Sequence, residues 1–345
     1  MKTVQVFGFY ILFSVFLGLA RCDSWVSSTN LLQPRTGAAL VTISQTNFAV
    51  IGGLASVNST NPLTSVEVFN VTSLTWSNTT IPPLPIGLAY ASAAFDQSRN
   101  CIWVVGGYTN NFEIVPYLFK YNFTSSWFQH ASLPSARVGM STMMISNNLY
   151  VFGGLGNFSY EAQTFVYSPV GDIWETRASL GYPRAFLAGI LGPGNLAYLI
   201  GGRNPDNLKI VERYSAVSDT FEQISSMPSP RSGASVAIVQ NRILVFGGVR
   251  NNILNATEEY SPNDNLWFCR TGMNISREDS NAVGLGAVAY VVGGETSQGV
   301  TGAMEVYTPA TATEAGLCPV ESSSSILQPI LSVLPLLVIV VHVFS

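Results

Sequence analysis

The sequence predicts an all-β fold, a ring of six four-stranded blades, and three observations lead to this prediction. A Gly-Gly pair recurs six times, with successive pairs 46 to 54 residues apart. Short β-rich runs, bounded by glycine and turn residues, fill each interval. A step of ten residues from a Trp or Phe to an Arg also recurs. A unit of four strands cannot bury both of its faces alone, so the copies must stack, and six copies around an axis make a β-propeller.

Each Gly-Gly pair follows a mostly apolar run, and an aromatic residue closes a strand-like segment 12 to 16 residues later. The pairs are Gly52-Gly53, Gly106-Gly107, Gly153-Gly154, Gly201-Gly202, Gly247-Gly248 and Gly293-Gly294. The first aromatic residues are Phe69, Tyr121, Tyr167, Tyr214, Tyr260 and Tyr307. In five repeats a second aromatic residue follows, and these are Trp76, Trp127, Trp174, Phe221 and Trp267.

The N-terminal segment supplies what the sixth repeat lacks. No second aromatic residue follows Tyr307, but Trp25 and Arg35 are separated by the same ten residues as the Trp–Arg or Phe–Arg steps of the middle repeats. We therefore expect the N-terminal strand to be the outer strand of the last blade. Only the step after Trp76 departs from the pattern, where Ile86-Gly87 stands in place of the Arg.

The pattern resembles the kelch repeat, through the Gly-Gly pairs, the spaced Tyr and Trp, and segments such as Met227-Pro-Ser-Pro-Arg-Ser-Gly233. The resemblance covers roughly Trp25 to Thr308. It implies a six-bladed kelch β-propeller closed by the N-terminal strand, with each aromatic pair packed against the glycine pair. It also implies that the repeated Arg belongs to the framework of the repeat.

Both ends of the chain have the composition of processing signals. Residues 1–20 join one cation, Lys2, to an uncharged run that ends in small residues, which predicts a secretory signal peptide; a retained membrane anchor is the alternative. Residues 21–317 are then the propeller. Residues 318–325 form a polar spacer, and residues 326–345 form an apolar tail without a following Lys or Arg.

The C-terminal pattern predicts a GPI anchor, because small residues, a polar spacer and an apolar tail are what the attachment enzyme recognises. Ser322 or Ser323 is the expected attachment residue, with Gly316 a weaker candidate. A single-pass helix is the alternative, since the tail is just long enough to span a bilayer. The protein is therefore expected at the outer leaflet of the cell membrane.

Secretion also agrees with the sequons and the cysteines. Seven Asn-X-Ser/Thr sequons predict N-glycosylation at Asn58, Asn70, Asn78, Asn122, Asn157, Asn255 and Asn274. An oxidising compartment favours disulfides. Cys22 and Cys318 flank the propeller, so we expect them to form a disulfide that closes the ring. Cys101 and Cys269 fall in opposite blades and are expected to be unpaired.

The loop after each Gly-Gly pair and the loop before each Arg should emerge on one face, which is the expected binding surface. Candidate ligand-binding residues there are Arg35, Arg137, Arg184, Arg231, Arg277, Tyr108, Asn110 and Asn111. An arginine ring could capture a carboxylate or sulfate. The alternative is structural, because Glu67, Glu212, Glu258 and Glu305 recur two residues before the first aromatic residue and could pair with the arginines between blades.

Composition and motifs argue against catalysis and against nucleic acid. Charged residues make up 10% of the chain, with three Lys and a formal net charge of −4, so we expect no nucleic-acid partner. Two histidines and the lack of His-X-Glu, Gly-X-Ser-X-Gly or Cys-X-X-Cys motifs leave no catalytic or metal set, and no cofactor is expected. We expect a non-enzymatic binding or adhesion ectodomain for an extracellular protein or glycan. The alternative is a carbohydrate-acting enzyme that resembles the kelch-type sugar epimerases.

Overall fold

The computed structural model describes residues 23–124 and 126–310, which form six four-stranded antiparallel sheets around one axis. The innermost strands of neighbouring sheets contact each other in a closed cycle. The six-bladed propeller that the repeats predict is therefore confirmed. The segments 1–20, 318–325 and 326–345, together with Cys22, Cys318, Ser322 and Ser323, lie outside the described residues.

In blades 1 to 5 the strands run outward from the axis in chain order. Blade 1 consists of β2 (Ala39–Thr42), β3 (Asn47–Ile51), β4 (Val66–Asn70) and β5 (Thr75–Ser77). Blade 2 consists of β6 (Ser92–Asp96), β7 (Cys101–Val105), β8 (Leu118–Tyr121) and β9 (Trp127–His130). Blade 3 consists of β10 (Ser141–Ile145), β11 (Asn148–Phe152), β12 (Thr164–Ser168) and β13 (Ile173–Arg177).

The second half of the ring repeats this order. Blade 4 consists of β14 (Ala188–Gly192), β15 (Leu196–Ile200), β16 (Val211–Ser215) and β17 (Thr220–Gln223). Blade 5 consists of β18 (Ser235–Val239), β19 (Arg242–Phe246), β20 (Thr257–Ser261) and β21 (Leu266–Arg270). Blade 6 consists of β22 (Asn281–Leu285), β23 (Val288–Val292), β26 (Met304–Thr308) and β1 (Ser24–Ser28). A small hairpin, β24 (Glu295–Thr296) and β25 (Gly299–Val300), and two 3₁₀ turns, Asn110–Phe112 and Pro193–Asn195, complete the elements.

The N-terminal strand closes the ring, as the Trp25 spacing predicts. β1 pairs antiparallel with β26, and Trp25 lies opposite Tyr307 with ring centroids 4.9 Å apart. The Trp25 indole N–H donates to the Thr271 carbonyl at 2.8 Å, and the Asp23 carboxylate accepts from the Ala310 N–H at 2.7 Å. Non-covalent pairing of the two chain ends thus holds the last blade together.

The glycine pairs are required by a close approach between neighbouring blades. A Cβ on Gly247 would lie 2.3 Å from the Arg277 carbonyl oxygen, and both glycines of each pair have positive φ. The aromatic pairs instead pack on the residue before the glycines of the preceding blade. Phe152, for example, lies 5.4 Å from Tyr214 and 6.1 Å from Phe221. The packing of aromatic rings on the glycine pair, which the resemblance implied, is therefore replaced by a contact one residue earlier.

The propeller has two different faces. The residue after each glycine pair bridges to the residue after each Arg position, so both sets of loops lie together, and we call this side the loop face. The opposite side carries the turn between the innermost strand and the second strand of each blade, and we call it the hairpin face. Because strand direction alternates, β26 ends and β1 begins at the hairpin face.

Candidate functional site on the loop face

Six residues surround the axis of the propeller at the loop face. Each lies two positions after the Arg position of its blade, and the backbone N–H of each donates to the carbonyl of the preceding one, at 2.7 to 3.1 Å. All six have φ between 48 and 61°. They are Gly37, Tyr90, Gly139, Phe186, Gly233 and Asp279. We call this closed cycle the axial ring.

Glycine and a large side chain alternate around the axial ring. A Cβ on Gly37 would lie 2.8 Å from the Tyr90 ring, one on Gly139 would lie 3.0 Å from the Phe186 ring, and one on Gly233 would lie 2.5 Å from Oδ1 of Asp279. The three glycines thus leave the space that the three side chains occupy. Tyr90 and Phe186 meet edge to face at 5.5 Å. Together these side chains narrow the axis at the loop face to a space of about 100 Å³, which the six residues of the axial ring line.

The axial ring carries a desolvated carboxyl group. The Tyr90 hydroxyl donates to Oδ2 of Asp279 at 2.9 Å, and only Gly37 lies between these two residues in the axial ring. Desolvation raises the pKa of Asp279 to about 6, against the lowering effects of the Tyr90 hydrogen bond and Arg203. Burial, followed by the charge of Asp279, raises the pKa of the Tyr90 hydroxyl. Asp279 therefore exchanges its proton close to neutral pH.

Two further carboxyl groups lie beside Asp279. Glu278 and Glu295 form an antiparallel bridge, which places their side chains on the same side of the backbone. Burial and the charges of Asp279 and Glu295 raise the pKa of Glu278 to about 7, and burial also raises the pKa of Glu295. The Arg203 guanidinium lies 4.3 Å over the Phe186 ring. Titratable groups with shifted pKa values in a cleft indicate a candidate functional site.

The blade 2 loop contains the predicted residues Tyr108, Asn110 and Asn111. Asn110 and Asn111 are exposed, as a ligand-binding role requires. Tyr108 is buried, with its ring 5.8 Å from Tyr90 and 5.4 Å from Phe112, so its predicted role as an exposed contact is wrong. Phe112 is 59% exposed and has a φ of 60°, a strained conformation for a Phe. Packing on Tyr108 holds this exposed ring in place.

Two more aromatic side chains are exposed on neighbouring loops. Phe158, after the glycine pair of blade 3, is 99% exposed, and Tyr182, before Arg184, is 40% exposed. With Phe112 they form an aromatic arc over blades 2 to 4, whereas Glu278, Asp279 and Glu295 lie in blade 6. Aromatic side chains are enriched at binding interfaces and in their hot spots, compared with the rest of a protein surface. The loop face therefore has an aromatic side and an acidic side.

The five arginines do not contribute to this surface. Arg35, Arg137, Arg184, Arg231 and Arg277 have at most 1% of their surface exposed. Their guanidinium groups donate to backbone carbonyls within the blade, as Arg277 does to the Gly293 carbonyl at 2.9 Å. The prediction that they capture a ligand is wrong, because a guanidinium that is buried and donates within its own blade cannot reach one. The structural alternative holds.

Four of the five arginines pair with the recurrent glutamates. The buried ion pairs are Arg35–Glu67, Arg184–Glu212, Arg231–Glu258 and Arg277–Glu305. Each pair forms within one blade, but Glu67 also accepts the N–H groups of Leu32 and Gln33 in the link from blade 6. In the blade of Arg137, Phe165 occupies the position of the recurrent glutamate, and the Arg137 guanidinium lies 4.7 Å over the Phe165 ring.

Blade 2 has an apolar pair at the corresponding position. The Leu88 carbonyl accepts the Gly53 N–H at 2.8 Å, just as the Arg277 carbonyl accepts the Gly248 N–H at 2.9 Å. Leu88, and not the predicted Ile86-Gly87, therefore occupies the Arg position. Leu88 and Phe119, which replaces the glutamate, are buried in the same apolar cluster. A buried ion pair has been exchanged for packed apolar side chains.

The described cysteines differ from each other. Cys101 is a free, buried thiol, as expected, and burial raises its pKa to about 11. Cys269 is disulfide-bonded, so the prediction that it is unpaired is wrong. The spacing of blades 2 and 5 excluded a bridge to Cys101 but did not exclude one to another cysteine. The predicted bridge between Cys22 and Cys318 falls on residues outside those described.

Other predictions concern surface chemistry. None of the seven sequon asparagines is buried, and five of them are exposed: Asn58, Asn78, Asn157, Asn255 and Asn274. Asn70 and Asn122 are half-buried, and their side chains accept hydrogen bonds in local turns. Within residues 23–124 and 126–310 no helix is long and apolar enough to cross a membrane, and no cluster of His, Cys, Asp and Glu is placed to hold a metal ion.

The fold and this site define a class, the six-bladed propellers that display varied loops on a repeated frame. Comparison with known proteins names the family. The family described as "KLHDC2/KLHL20/DRC7 Kelch-repeats domain" matches residues 37–248, and the "Kelch motif" matches residues 230–274. The chain therefore belongs to the Kelch-repeat family, as the resemblance of its motifs implied.

Individual relatives match over part of their length. Kelch-like protein 38 of Rattus norvegicus is 25% identical over 214 residues, which cover 57% of this chain and 36% of that protein. Kelch-like protein 23 of Homo sapiens is 26% identical over 207 residues, covering 56% and 35%. Alpha-scruin of Limulus polyphemus is 25% identical over 187 residues, covering 49% and 20%. The chain thus spans about a third or less of the length of these relatives.

A solved structure shares the fold. The "Structure of YjhT" superposes with a TM-score of 0.71 at 15% identity, covering 84% of this chain and 99% of that one. At this identity the match shows the fold alone.

Proposed function

We propose that this Kelch-repeat protein is a cell-surface ectodomain that binds an extracellular protein or glycan through its loop face. A protein partner is in keeping with the Kelch family. The observation that carries the proposal is the loop face itself. Its axis is narrowed by Tyr90, Phe186 and Asp279, and exposed aromatic and acidic side chains surround this narrow opening on a rigid frame.

Three features support an extracellular setting. The disulfide at Cys269 requires an oxidising compartment. None of the seven sequon asparagines is buried, which is in keeping with glycosylation. An anchor at Ser322 or Ser323 would follow β26, which ends at the hairpin face, and would therefore turn the loop face away from the membrane. Residues 1–20 supply the secretion signal in this proposal, and a single-pass helix is the alternative to the GPI anchor.

Phosphatidylinositol-specific phospholipase C tests the anchor. Cells expressing the full chain should release the protein into the medium after this treatment. Retention on the cells would favour a spanning helix and would overturn the GPI proposal without affecting the binding surface.

Loop-face variants test the binding. The released protein should bind a partner on an array of glycans and ectodomains, and Phe112→Ala should weaken that binding about tenfold or more, as for an aromatic hot spot. Val217→Ala is the matched control, because Val217 is 96% exposed on the hairpin face. Equal loss of binding in both variants would contradict the proposal.

A second function, a carbohydrate-acting enzyme, is favoured by one observation. Glu278 and Asp279 have pKa values of about 7 and 6, beside Arg203 and Tyr90 at the narrowed axis. Carboxyl groups that titrate near neutral pH suit general acid–base catalysis, such as epimerisation of a sugar. Proton NMR of reducing sugars incubated with the released protein tests this function. Turnover that Glu278→Gln abolishes would support the enzyme, and absence of turnover would leave the binding protein.

A further inference from the structure

The propeller also contains a cavity on the side away from the loop face. The innermost strands β2, β6, β10, β14, β18 and β22 enclose a space of about 680 Å³ that opens at the hairpin face. A narrower space of about 220 Å³ continues it toward the axial ring. A third space of about 100 Å³ lies at the axial ring and shares Ala38, Ala91 and Met140 with the narrow part, so the cavity narrows in steps toward the loop face, and we call it the axial funnel.

The lining of the axial funnel has a uniform chemistry. None of the described residues around it or around its narrow continuation carries a formal charge. Leu40, Phe95, Met144, Ile190 and Leu285 provide apolar surface from five blades. An ionised ligand would lose its hydration here without a partner charge, whereas an uncharged ligand would not.

Hydrogen-bonding groups are present without partners. Thr142 lines both the wide and the narrow part of the funnel, and its Oγ1 is buried without a hydrogen-bond partner. Thr142 itself is only 9% exposed. The innermost strands are sheet edges, so half of their backbone N–H and C=O groups have no partner in the ladder and face the axis. The Thr142 oxygen has no accessible surface, so the groups that a ligand in the funnel can reach are the unpaired N–H and C=O groups of the strand edges.

From these features we propose that the axial funnel binds an uncharged small molecule with an apolar body and a few hydrogen-bonding groups. The volume lies in the range of pockets for such ligands, roughly 300 to 1,000 Å³. Adjacent Met143 and Met144 provide flexible apolar surface that adapts to the shape of a ligand. This site is separate from the loop face and does not depend on the function proposed for it.

A neutral fluorescent probe, N-phenyl-1-naphthylamine, tests the proposal on the purified full chain. We expect a saturable rise in fluorescence with one probe per chain. Ala282→Phe, which places a ring inside the funnel, should weaken binding by about tenfold or more, a loss of roughly 1.4 kcal/mol or more. Val217→Phe adds the same ring on an exposed turn and should leave the affinity within about twofold. Probe fluorescence that does not saturate, or equal affinity in the two variants, would overturn the proposal.

A second variant tests the same site in case Ala282→Phe does not fold. Gln97 is exposed at the funnel mouth, so Gln97→Cys is accessible to a bulky maleimide, which should block probe binding; Val217→Cys labelled in the same way should not. Glu278→Gln separates this site from the loop face, because it should leave probe binding unchanged. Probe binding that survives the Gln97→Cys label, or that is lost in Glu278→Gln, would place the probe elsewhere and contradict the inference.

Discussion

The buried ion pairs predict a large and specific loss of stability when one partner is removed. Arg277 and Glu305 are fully buried, and the guanidinium donates to Oε2 at 2.7 Å and to the Gly293 and Ala303 carbonyls at 2.9 and 2.8 Å. Arg277→Met removes three hydrogen bonds and leaves a buried carboxylate without its counter-charge. The expected cost is about 3–5 kcal/mol in the free energy of unfolding.

Blade 2 suggests how the loss can be recovered. It has Leu88 and Phe119 where blade 6 has Arg277 and Glu305. The double variant Arg277→Leu/Glu305→Phe copies this apolar pair, so its cost should be smaller than that of Arg277→Met by about 1 kcal/mol or more. The Glu305 carboxylate also accepts hydrogen bonds from the backbone N–H groups of Asn274 and Ile275. In the double variant these N–H groups can donate to water, because neither residue is buried.

Urea unfolding followed by tryptophan fluorescence measures these differences. Arg213→Met is the matched control, because the Arg213–Glu222 pair is solvent-exposed and should cost under about 1 kcal/mol. The reasoning would be refuted if Arg277→Met cost no more than Arg213→Met. A double variant that is less stable than Arg277→Met would refute the argument from blade 2.

Two further predictions concern titration and the disulfide. The pKa values of Glu278 and Asp279 are raised to about 7 and 6, so the folded protein holds these protons more strongly than the unfolded chain, and stability should fall as pH rises from about 4 to about 7. Glu278→Gln should flatten the change of melting temperature over that range, and an unchanged slope would contradict the assignment. In non-reducing peptide maps Cys101 should be alkylated only after unfolding and Cys269 only after reduction. Alkylation of Cys269 without reduction would contradict this assignment.

Much of the fold was predictable because the spacing of the repeated residues specifies the blades and how they stack. Six Gly-Gly pairs and the Trp25–Arg35 spacing gave the number of blades and the closing strand, since each unit must stack on copies of itself. Position Leu88 was missed because the link after Trp76 is two residues longer, which moves the Arg position. Only the Gly53–Leu88 hydrogen bond shows where it falls.

The site was less predictable than the fold. The repeated arginines stand out in the sequence but are buried, because repetition marks the framework and not the ligand surface. The axial ring carries a sequence signal that was overlooked: two residues after the Arg position, glycine alternates with Tyr90, Phe186 and Asp279. The clustering of Glu278 with Glu295, and the shifts in their pKa values, depend on distances between blades, which no spacing along the chain specifies.

The most direct test of the proposed binding role is to probe one array of glycans and ectodomains with the secreted protein and two variants. The account predicts that the wild type and Val217→Ala bind the same partner, that Phe112→Ala binds it about tenfold more weakly or not at all, and that no sugar is converted. Binding that all three proteins share equally, or conversion of a sugar by the wild type, would contradict it.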